Sequence, residues 1–528
     1  MKYLKIIFVL CTLGLGYLIY HNFFAFEPNR ESPYKVYGDL IKGTYRVGYV
    51  DLDNEYQIDQ LETRGTIPRW LSGTLLRNGP NKFTSGNSVV THWFDGLAML
   101  HAFSFNNGVV SYANKFLVTD AYRAVKETGK MSYLGFDQDP CTSTFKKLFT
   151  HFIPSKQKSI MPNANVNISM LADQYVALTE IPLPIAFDPV TLKTLGPVHY
   201  NDQFPEAEVH EGVHPHYDPI NKEHLGFLTK FGRANSHNVY CIKDGTTQRR
   251  LIASIDAEEP SYMHSFALTP HYVILSLIPL VVNPINFLIK NKPFIRNFKW
   301  KPELGTKFAV VDRGKKKLVG IFRTDPFFTF HHVNAYEKDH KIILDIVVYD
   351  TPSQIDVFNM SNLLSPLNTI LSKNVAAQEI YSVEISKPIL KRFVVDLEKH
   401  EVSSQKICDK MLELPRINYE LCNGKEYNYV YAGASEDTRY FDSISKINVN
   451  TGEAISWHEK SCYPGEPVFV RPPNGVDEDD GLILSVVLDA EKENSFLLIL
   501  NAKDFSEIGR AIVPHRIPFG LHGVFKRE

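Results

Sequence analysis

Four of the nineteen histidines stand in settings that suit a buried metal centre. They are His214 in Gly-Val-His-Pro-His-Tyr-Asp, His264 in Tyr-Met-His-Ser-Phe, His331 in Phe-His-His-Val-Asn and His522 in Gly-Leu-His-Gly-Val-Phe. Apolar or small neighbours are typical of the inner end of a strand beside a central channel. Imidazole is the commonest metal ligand, although a single buried histidine is more often a hydrogen-bonded core residue. The four lie far apart in the chain, so the residues alone indicate only that these rings could converge.

The elements that must position these histidines are β-hairpins. Seven times along the chain, alternating apolar residues flank a turn rich in Asn, Asp, Gly or Lys, the pattern of an antiparallel hairpin. These segments begin at Ala102, Ile185, Val239, Phe308, Phe393, Ile444 and Leu497. Seven hairpins in one long chain favour an all-β fold, a seven-bladed β-propeller. A large sandwich and two separate barrels are the alternatives.

Composition narrows the class of protein. The 528 residues are 44% hydrophobic and 22% charged, which is typical of a globular protein with a large core. The formal net charge is −2, whereas a nucleic-acid-binding protein normally has a clear excess of Lys and Arg, so the charge gives no indication of nucleic-acid binding. Aromatic residues make up 12% of the chain, which suits β-structure and apolar ligand cavities. The six cysteines show no CxxC spacing, so we expect mostly free and buried thiols.

The N-terminus has the pattern of a membrane segment. Lys2 and Lys5 precede the apolar run 6–20, an arrangement shared by cleavable signal peptides and uncleaved anchors. Small residues that would favour cleavage are few, and the whole segment approaches the roughly 20 residues needed to span a bilayer. We therefore predict an N-terminal transmembrane helix, a membrane anchor or signal segment, within residues 1–28.

The remaining chain is predicted to form a linker, residues 29–50, and one catalytic domain, residues 51–528. The N-terminal lysines predict a cytoplasmic N-terminus with the body on the far side of the membrane. The expected location is therefore membrane-associated, at the endoplasmic reticulum or another membrane of the secretory pathway. The Asn-X-Ser triplets at Asn167 and Asn359 are compatible with that side.

Two further stretches interrupt the β pattern. Residues 274–298 are strongly apolar, contain several prolines and end in basic residues, and residues 141–160 set phenylalanines among lysines at helical spacing. Such segments usually pack against a core. Alternatively, they lie on a membrane surface, where the apolar groups insert and the lysines meet headgroups.

Several motifs identify a family resemblance. They are Arg77-Asn78-Gly79-Pro80, His92-Trp93-Phe94-Asp95-Gly96, the three internal histidine settings, Tyr463-Pro464-Gly465-Glu466-Pro467 and the closing His522-Gly523. In this order, from about residue 51 to the C-terminus, they resemble the carotenoid cleavage oxygenase family. The stretch 177–189 is more similar to the microbial and general branches than to the isomerohydrolase of the vertebrate visual cycle.

The resemblance implies a seven-bladed propeller with a helical and loop cap over an iron(II) ion on its axis. The implied iron ligands are His214, His264, His331 and His522. In the Phe-His-His-Val-Asn setting the first histidine, His331, matches the ligand, which leaves His332 without a role. His216, the second histidine of Gly-Val-His-Pro-His-Tyr-Asp, is likewise assigned no role. Four neutral imidazoles suit iron(II) and leave up to two octahedral positions open.

The family also places glutamates behind the ligands, because a metal-bound imidazole usually donates its second N–H to an acceptor. The matching positions are Glu180, Glu413 and Glu466, expected to serve His264, His331 and His522 respectively. The alternative for each is a surface glutamate, the usual fate of this residue type.

The implied reaction is oxidative cleavage of a conjugated C=C bond, which gives aldehydes or ketones. The partners would be a carotenoid or apocarotenoid, dioxygen and membrane lipid, and no catalytic side chain is implied beyond the metal centre. By the same resemblance, residues 274–298 would frame the mouth of the substrate tunnel. Leu97 departs from the family pattern, since aspartate is frequent there in microbial members, and this bears on substrate fit.

Three alternatives remain open at the level of sequence. An isomerohydrolase acting on retinyl esters would need iron but no dioxygen. A stilbene-type cleavage oxygenase would share the chemistry but take phenolic substrates. A membrane-tethered propeller that serves as a binding platform would carry no stoichiometric iron.

Overall fold

The computed structural model describes residues 41–131, 133, 135–138, 162–202, 204, 209–232, 234–289, 292–364, 386–435 and 440–528. The described chain is mostly β-structure, as predicted. Its strands form six sheets of four or more strands, which we number sheet 1 to sheet 6 in chain order, and two small ribbons.

The first three sheets are built largely from consecutive antiparallel strands. Sheet 1 has the order Tyr56–Ile58, Val109–Phe116, Leu97–Asn106, Gly73–Lys82 and Gly523–Arg527. Sheet 2 consists of Asn167–Leu171, Gln174–Leu178, Ile185–Phe187 and Thr194–Pro197. Sheet 3 consists of Val209–Glu211, Glu223–Lys230, Ser236–Lys243 and Arg250–Asp256, with His216–Asp218 also paired to Glu223–Lys230.

The later sheets continue the same meander. Sheet 4 consists of Ala267–Leu268, Tyr272–Leu277, Thr306–Asp312 and Lys317–Thr324. Sheet 5 consists of His332–Lys338, Lys341–Val348, Ile389–Asp396, Glu401–Arg416, Tyr429–Ser435, Ser443–Asn448 and Ala454–His458. Sheet 6 has the order Glu62–Gly65, Glu507–Val513, Asn494–Asn501 and Leu482–Asp489, and the last strand pairs with both Cys462–Pro464 and Val468–Val470. The ribbons pair Leu280–Val281 with Lys299–Trp300, and Thr84–Ser85 with Ser88–Val89.

Helices are short in the described residues. The α-helices are Asp120–Thr128, Asn286–Ile289, Gln354–Val357, Met360–Leu364 and Tyr419–Cys422, and the 3₁₀ helices are Tyr45–Tyr49, Trp93–Asp95, Ile295–Asn297 and Pro302–Leu304. The longest begins at the N-cap Thr119, whose side chain accepts the N–H of Tyr122, and ends at Gly129 with φ of 67°.

All seven predicted hairpins are present, each as an antiparallel pair of strands. The first shows why the sequence signal was clear. Its two strands meet at Asn107 and Gly108, with φ of 52° and 87°, values that asparagine and glycine tolerate. The hairpins fall one in each of sheets 1, 2, 3, 4 and 6, and two in sheet 5.

Six hydrophobic clusters lie between successive sheets. Phe227 of sheet 3, for example, is fully buried in the same cluster as Val273 of sheet 4. The other interfaces are formed by Leu100 with Ile185, Val176 with Leu228, Val310 with Leu344, Tyr431 with Ile483, and Leu497 with Leu75. The last pair joins sheet 6 to sheet 1, so the face-to-face contacts close into a ring. Central strands are consequently buried on both faces.

The two ends of the described chain are exchanged between neighbouring sheets. Glu62–Gly65 pairs with Glu507–Val513 at the edge of sheet 6, and Gly523–Arg527 pairs with Gly73–Lys82 at the edge of sheet 1. Because early and late strands share both sheets, opening the ring would break backbone pairing as well as apolar contacts.

Other predictions have mixed outcomes. The proposed anchor and most of the linker, and the stretch 141–160, lie outside the described residues. Every helix in the described part of the chain is too short or too polar to cross a bilayer. In the stretch 274–298 the first half is core, with Ile274 and Val282 buried, whereas Ile285 is 54% exposed. Of the cysteines in the described residues, Cys241, Cys408, Cys422 and Cys462 are free, and all but Cys241 are buried.

Asn167 is buried, and its side-chain amide donates to the backbone carbonyl of Val213. Its Asn-X-Ser triplet is therefore inaccessible in the folded protein.

Candidate metal centre

The four histidines reach one point because each precedes a strand at the edge of a different sheet. His214 comes just before His216–Asp218 in sheet 3, and His264 just before Ala267–Leu268 in sheet 4. His331 precedes the first strand of sheet 5, and His522 precedes Gly523–Arg527 in sheet 1. Positions far apart in sequence thus become neighbours where the edges of these four sheets meet.

The four rings face one another. The Nε2 atoms of His214 and His264 are 3.0 Å apart, and those of His331 and His522 are 3.2 Å apart. Taking one ligand nitrogen from each ring, all four atoms lie within 4.8 Å of one another. His264, His331 and His522 are buried, and His214 is partly exposed. The structure therefore brings together all four histidines that the sequence singled out.

Carboxylates stand behind three of the rings. The Nδ1 atoms of His264, His331 and His522 lie 2.7, 2.5 and 2.8 Å from oxygens of Glu180, Glu413 and Glu466 respectively. Since a carboxylate only accepts hydrogen bonds, each Nδ1 carries the proton and each Nε2 presents a lone pair to the centre. None of the described carboxylates pairs with His214.

The carboxylates come from the remaining sheets as well as from sheet 5. Glu180 follows the strand Gln174–Leu178 of sheet 2, and Glu413 lies within Glu401–Arg416 of sheet 5. Glu466 lies between Cys462–Pro464 and Val468–Val470 of sheet 6. All six sheets thus contribute a side chain to one centre.

Each carboxylate is held by further donors. Glu413 accepts the Tyr349 hydroxyl at 2.9 Å and the backbone N–H of Leu414 at 2.7 Å. Glu180 accepts the Tyr262 hydroxyl at 2.8 Å and Nε2 of His210 at 3.0 Å.

Glu466 is the most strongly held of the three. It is ion-paired with Arg77, lies 3.3 Å from Nε of Arg416 and accepts the Gly523 N–H at 3.0 Å. A Cβ at Gly523 would collide with the carbonyl oxygen of Leu76, which explains the glycine that follows His522.

Burial and the neighbouring groups together set the protonation states. It lowers the pKa of His214 well below its usual value, and the neighbouring rings add to the effect; it lowers the pKa of His522 to about 4 despite the opposing effect of Glu466. Burial alone would raise the pKa of Glu180, but His210 and His264 outweigh it and bring the pKa to about 2. At neutral pH the imidazoles of His214 and His522 are therefore neutral and the Glu180 carboxylate is ionised, the states that metal binding requires.

His216 and His332 serve as structural residues. The ring nitrogens of His216 pair with the Tyr419 hydroxyl and the Phe266 carbonyl, and those of His332 pair with the hydroxyls of Ser265 and Ser276. With both nitrogens engaged, neither ring is available to the centre.

One phenylalanine ring lies against the histidine cluster, and three more continue from it. The Phe330 ring is 5.6 Å from that of His264, and Phe94, Phe136 and Phe358 continue from it through ring contacts of 5.4 to 6.5 Å. We call these four phenylalanines the aromatic cluster. Leu97, the residue that departs from the family pattern, is buried at the start of its strand.

Sequence reasoning assigned no role to several residues around the carboxylates. They are Arg77, His210, Tyr262, Tyr349 and Arg416. Three of them carried a local signal: Arg77 belongs to the motif Arg77-Asn78-Gly79-Pro80, Tyr262 is two residues before His264, and Arg416 is three residues after Glu413 on the same strand. His210 and Tyr349 lie 30 and 64 residues from the carboxylates they contact, and no local spacing reveals such pairs.

The amino-acid sequence is similar to one protein family and to characterised relatives along most of its length. Residues 49–527 match the family described as Retinal pigment epithelial membrane protein. The chain is 34% identical to the β,β-carotene 15,15'-dioxygenase of Gallus gallus, over 88% of this chain and 94% of that protein. It is 32% identical to the mitochondrial carotenoid-cleaving dioxygenase of Pongo abelii, over 88% and 91%.

The fold is also similar to that of solved structures. The cobalt-substituted apocarotenoid oxygenase of Synechocystis superposes with a TM-score of 0.78 at 27% identity, covering 94% of this chain and 100% of that one.

Proposed function

We propose that this chain is an iron(II)-dependent dioxygenase. It belongs to the retinal pigment epithelial membrane protein family of carotenoid oxygenases, and the proposal proceeds from that membership. Its substrate would be a carotenoid or apocarotenoid, cleaved at a conjugated double bond to aldehyde or ketone products. The observation that carries the proposal is the convergence of four imidazole nitrogens within 4.8 Å.

The donor set fits a first-row divalent ion. A metal–imidazole nitrogen bond is usually about 2.1 Å long. Two nitrogens at that distance from a common ion, with a right angle between the bonds, are about 3.0 Å apart. The Nε2 pairs have separations of 3.0 and 3.2 Å. Imidazole ligands admit iron among several metals, and four of them leave coordination positions open for small ligands. The existence of a cobalt-substituted relative supports a divalent ion in this chain too.

The chain's own residues would hold and orient the ion. His214, His264, His331 and His522 would be its ligands. Glu180, Glu413 and Glu466 would fix three of these rings by accepting their Nδ1–H groups and would raise the basicity of the ligands. When bound, iron(II) supplies the activation of dioxygen, which no imidazole or carboxylate provides.

The aromatic cluster supports the substrate class. Phe330 lies against His264, and Phe94, Phe136 and Phe358 extend an apolar, aromatic surface away from the centre. A conjugated hydrocarbon chain is complementary to such a surface, and its burial there would exclude water from the reacting bond. We assign these rings to binding the polyene.

The architecture is proposed to be a seven-bladed propeller with the iron on its axis, under a cap of helices and loops. Sheet 5 would count as two blades that share the long strand Glu401–Arg416. Residues 401–406 of that strand pair with Ile389–Asp396, whereas residues 411–416 pair mainly with Tyr429–Ser435. The strand thus changes partner along its length, which supports a division of its seven strands into two blades.

Aerobic incubation of the iron-loaded chain with a panel of carotenoids and apocarotenoids tests the activity. Mass spectrometry should detect aldehyde or ketone fragments, with oxygen derived from dioxygen, and an argon control should give none. Product that forms equally under argon from retinyl esters would identify an isomerohydrolase, and cleavage of stilbenes alone would reassign the substrate. A purified chain that neither contains nor binds iron would leave only a binding platform.

Membrane association is proposed on the N-terminal sequence and on the exposed Ile285 in the otherwise apolar stretch 274–298. Deleting residues 1–31 should reduce, but not abolish, sedimentation with membranes, because the second patch would still bind lipid. Full retention on membranes after the deletion would contradict the anchor. Since the Pongo abelii relative is named mitochondrial, imaging of the tagged chain should compare mitochondria with the endoplasmic reticulum.

A further inference from the structure

The three carboxylates of the centre differ in how the oxygen that does not face the ligand histidine is held. On Glu413 this oxygen, Oε1, accepts the Tyr349 hydroxyl, and on Glu466 it is Oε2, which accepts Arg77 and the Gly523 N–H. Among the described residues, no backbone N–H donates to the Glu180 carboxylate. Its Oε1 accepts His264 and Tyr262, and its Oε2 accepts Nε2 of His210 at 3.0 Å. On Glu180, therefore, an imidazole holds the oxygen that a tyrosine hydroxyl holds on Glu413 and that an arginine and a backbone N–H hold on Glu466.

His210 is fixed in this position. It lies in the strand Val209–Glu211, is 5% exposed, and is stacked on Phe294 with ring centroids 5.3 Å apart and planes 9° apart. The Tyr262 ring contacts it at 5.7 Å. Because the partner is an ionised carboxylate, Nε2 of His210 must carry a proton and donate it to Oε2.

The Glu180 side chain is only 13% exposed. Loss of this donor would leave one of its oxygens without a described partner, which is costly where water has little access. Rotation of the carboxylate toward other donors would relieve that cost. Such rotation would also move Oε1 away from Nδ1 of His264 and release the orientation of that ring. His264 is the ring affected, because it depends on Glu180 alone for its outer hydrogen bond.

We propose that His210 is a positioning residue of the metal centre. By holding Oε2 of Glu180, it keeps Oε1 on Nδ1 of His264 and so keeps Nε2 of His264 directed at the ion. The inference rests on the proposed function, because it needs the ion to be held there, and it extends the site by a residue that does not touch the ion.

The test compares variants of the full chain loaded anaerobically with iron(II). The variants are His210→Leu, which removes the donor; His210→Gln, which keeps an N–H donor of similar reach; and His210→Asn, whose amide is one methylene shorter. His237→Leu is the matched control. His237 is also a buried histidine of sheet 3. Thr229, on the strand between them, pairs with both His210 and His237, so the two histidines lie two strands apart at the same level of the sheet. His237 forms hydrogen bonds with Thr229 and Ser261 and none with Glu180.

The first readout is the rate at which a coloured chelator removes iron(II). We expect His210→Leu to lose iron about 10-fold faster than the unmodified chain, the lower end of the range for outer hydrogen bonds to metal ligands. His210→Gln should stay close to the unmodified rate, and His237→Leu should match it. The second readout is the visible spectrum of the cobalt(II)-loaded chain, which should change in His210→Leu and not in the control.

The outcomes separate the two claims. An unmodified chain that holds no iron overturns the proposed function itself. If the unmodified chain holds iron and His210→Leu releases it no faster than His237→Leu, with an unchanged cobalt spectrum, the positioning role alone is wrong. If His210→Leu fails to fold, the remaining pair decides: faster release from His210→Asn than from His210→Gln supports the role, and equal rates refute it.

Discussion

Replacing Glu466 by glutamine tests the outer hydrogen bonds most sharply, because this carboxylate gathers the most donors. One oxygen accepts from His522 and lies near Arg416, and the other accepts from Arg77 and Gly523. A carboxylate can accept from all of them, whereas an amide has one acceptor oxygen and an NH₂ group. In Glu466→Gln, therefore, an N–H donor must face other donors.

The magnitude follows from the contacts. Arg77 and Glu466 are both buried, and removing one partner of a buried ion pair costs about 3–5 kcal/mol of unfolding free energy. Arg416 is 32% exposed in its side chain, so water compensates part of its loss. The weaker hold on His522 should lower iron affinity by about 10- to 100-fold.

Glu413→Gln is the matched comparison. Glu413 also accepts a ligand histidine, but its other donors are the Tyr349 hydroxyl and the Leu414 N–H, with no arginine. Iron affinity should fall by a similar factor, whereas the loss of unfolding free energy should be only about 1–3 kcal/mol, the usual cost of an unsatisfied polar group.

Chelator competition gives the iron affinities, and urea titration of the metal-free chains gives the stabilities. The expected result is similar affinity losses with a larger stability loss for Glu466→Gln. Equal stability losses would show that the pairing with Arg77 does not stabilise the fold as the contacts imply. Unchanged iron affinity in both variants would refute the orientation of the ligands by these carboxylates.

Three further predictions concern other parts of the molecule. His264→Ala should abolish iron binding and turnover but keep the β-sheet circular dichroism, since the ring of sheets does not depend on this side chain; activity in the variant would contradict its role as a ligand. Burial lowers the pKa of His101 to about 3 in the folded chain. Below about pH 6.5 this side chain is therefore protonated in the unfolded chain but not in the folded chain, and the free energy of unfolding falls as the pH falls. From pH 7 to 5 this one residue costs about 2 kcal/mol, so urea midpoints should shift less in His101→Gln; an equal shift would contradict the assignment. Asp345→Asn, which breaks the buried pair with Arg392, should destabilise the fold by about 3–5 kcal/mol without altering iron binding, and a loss of iron would count against the separation of the two regions.

The sequence allowed the hairpins to be predicted because their signal is local. Alternating apolar residues and a turn residue lie within about fifteen positions of each other, as at Asn107 and Gly108. The exchange of strands between chain ends had no such signal. Pairing of Glu62–Gly65 with Glu507–Val513 joins segments more than 400 residues apart, and only the complete ring of sheets defines that register.

The candidate site divides in the same way. The four histidines could be named because family motifs surround them, and the structure places their nitrogens together. His210 could not, because its partner Glu180 lies 30 residues away and the contact depends on the approach of two sheets. Tyr349, the residue after the strand Lys341–Val348, likewise reaches Glu413 at a sequence separation of 64 residues.

The position of the metal in crystals of the iron-loaded chain tests the central claim most directly. Anomalous scattering recorded at the iron absorption edge should give one strong peak per chain, within coordination distance of Nε2 of His214, His264, His331 and His522. A peak elsewhere, or none at this point in crystals of an iron-loaded chain, would contradict the account.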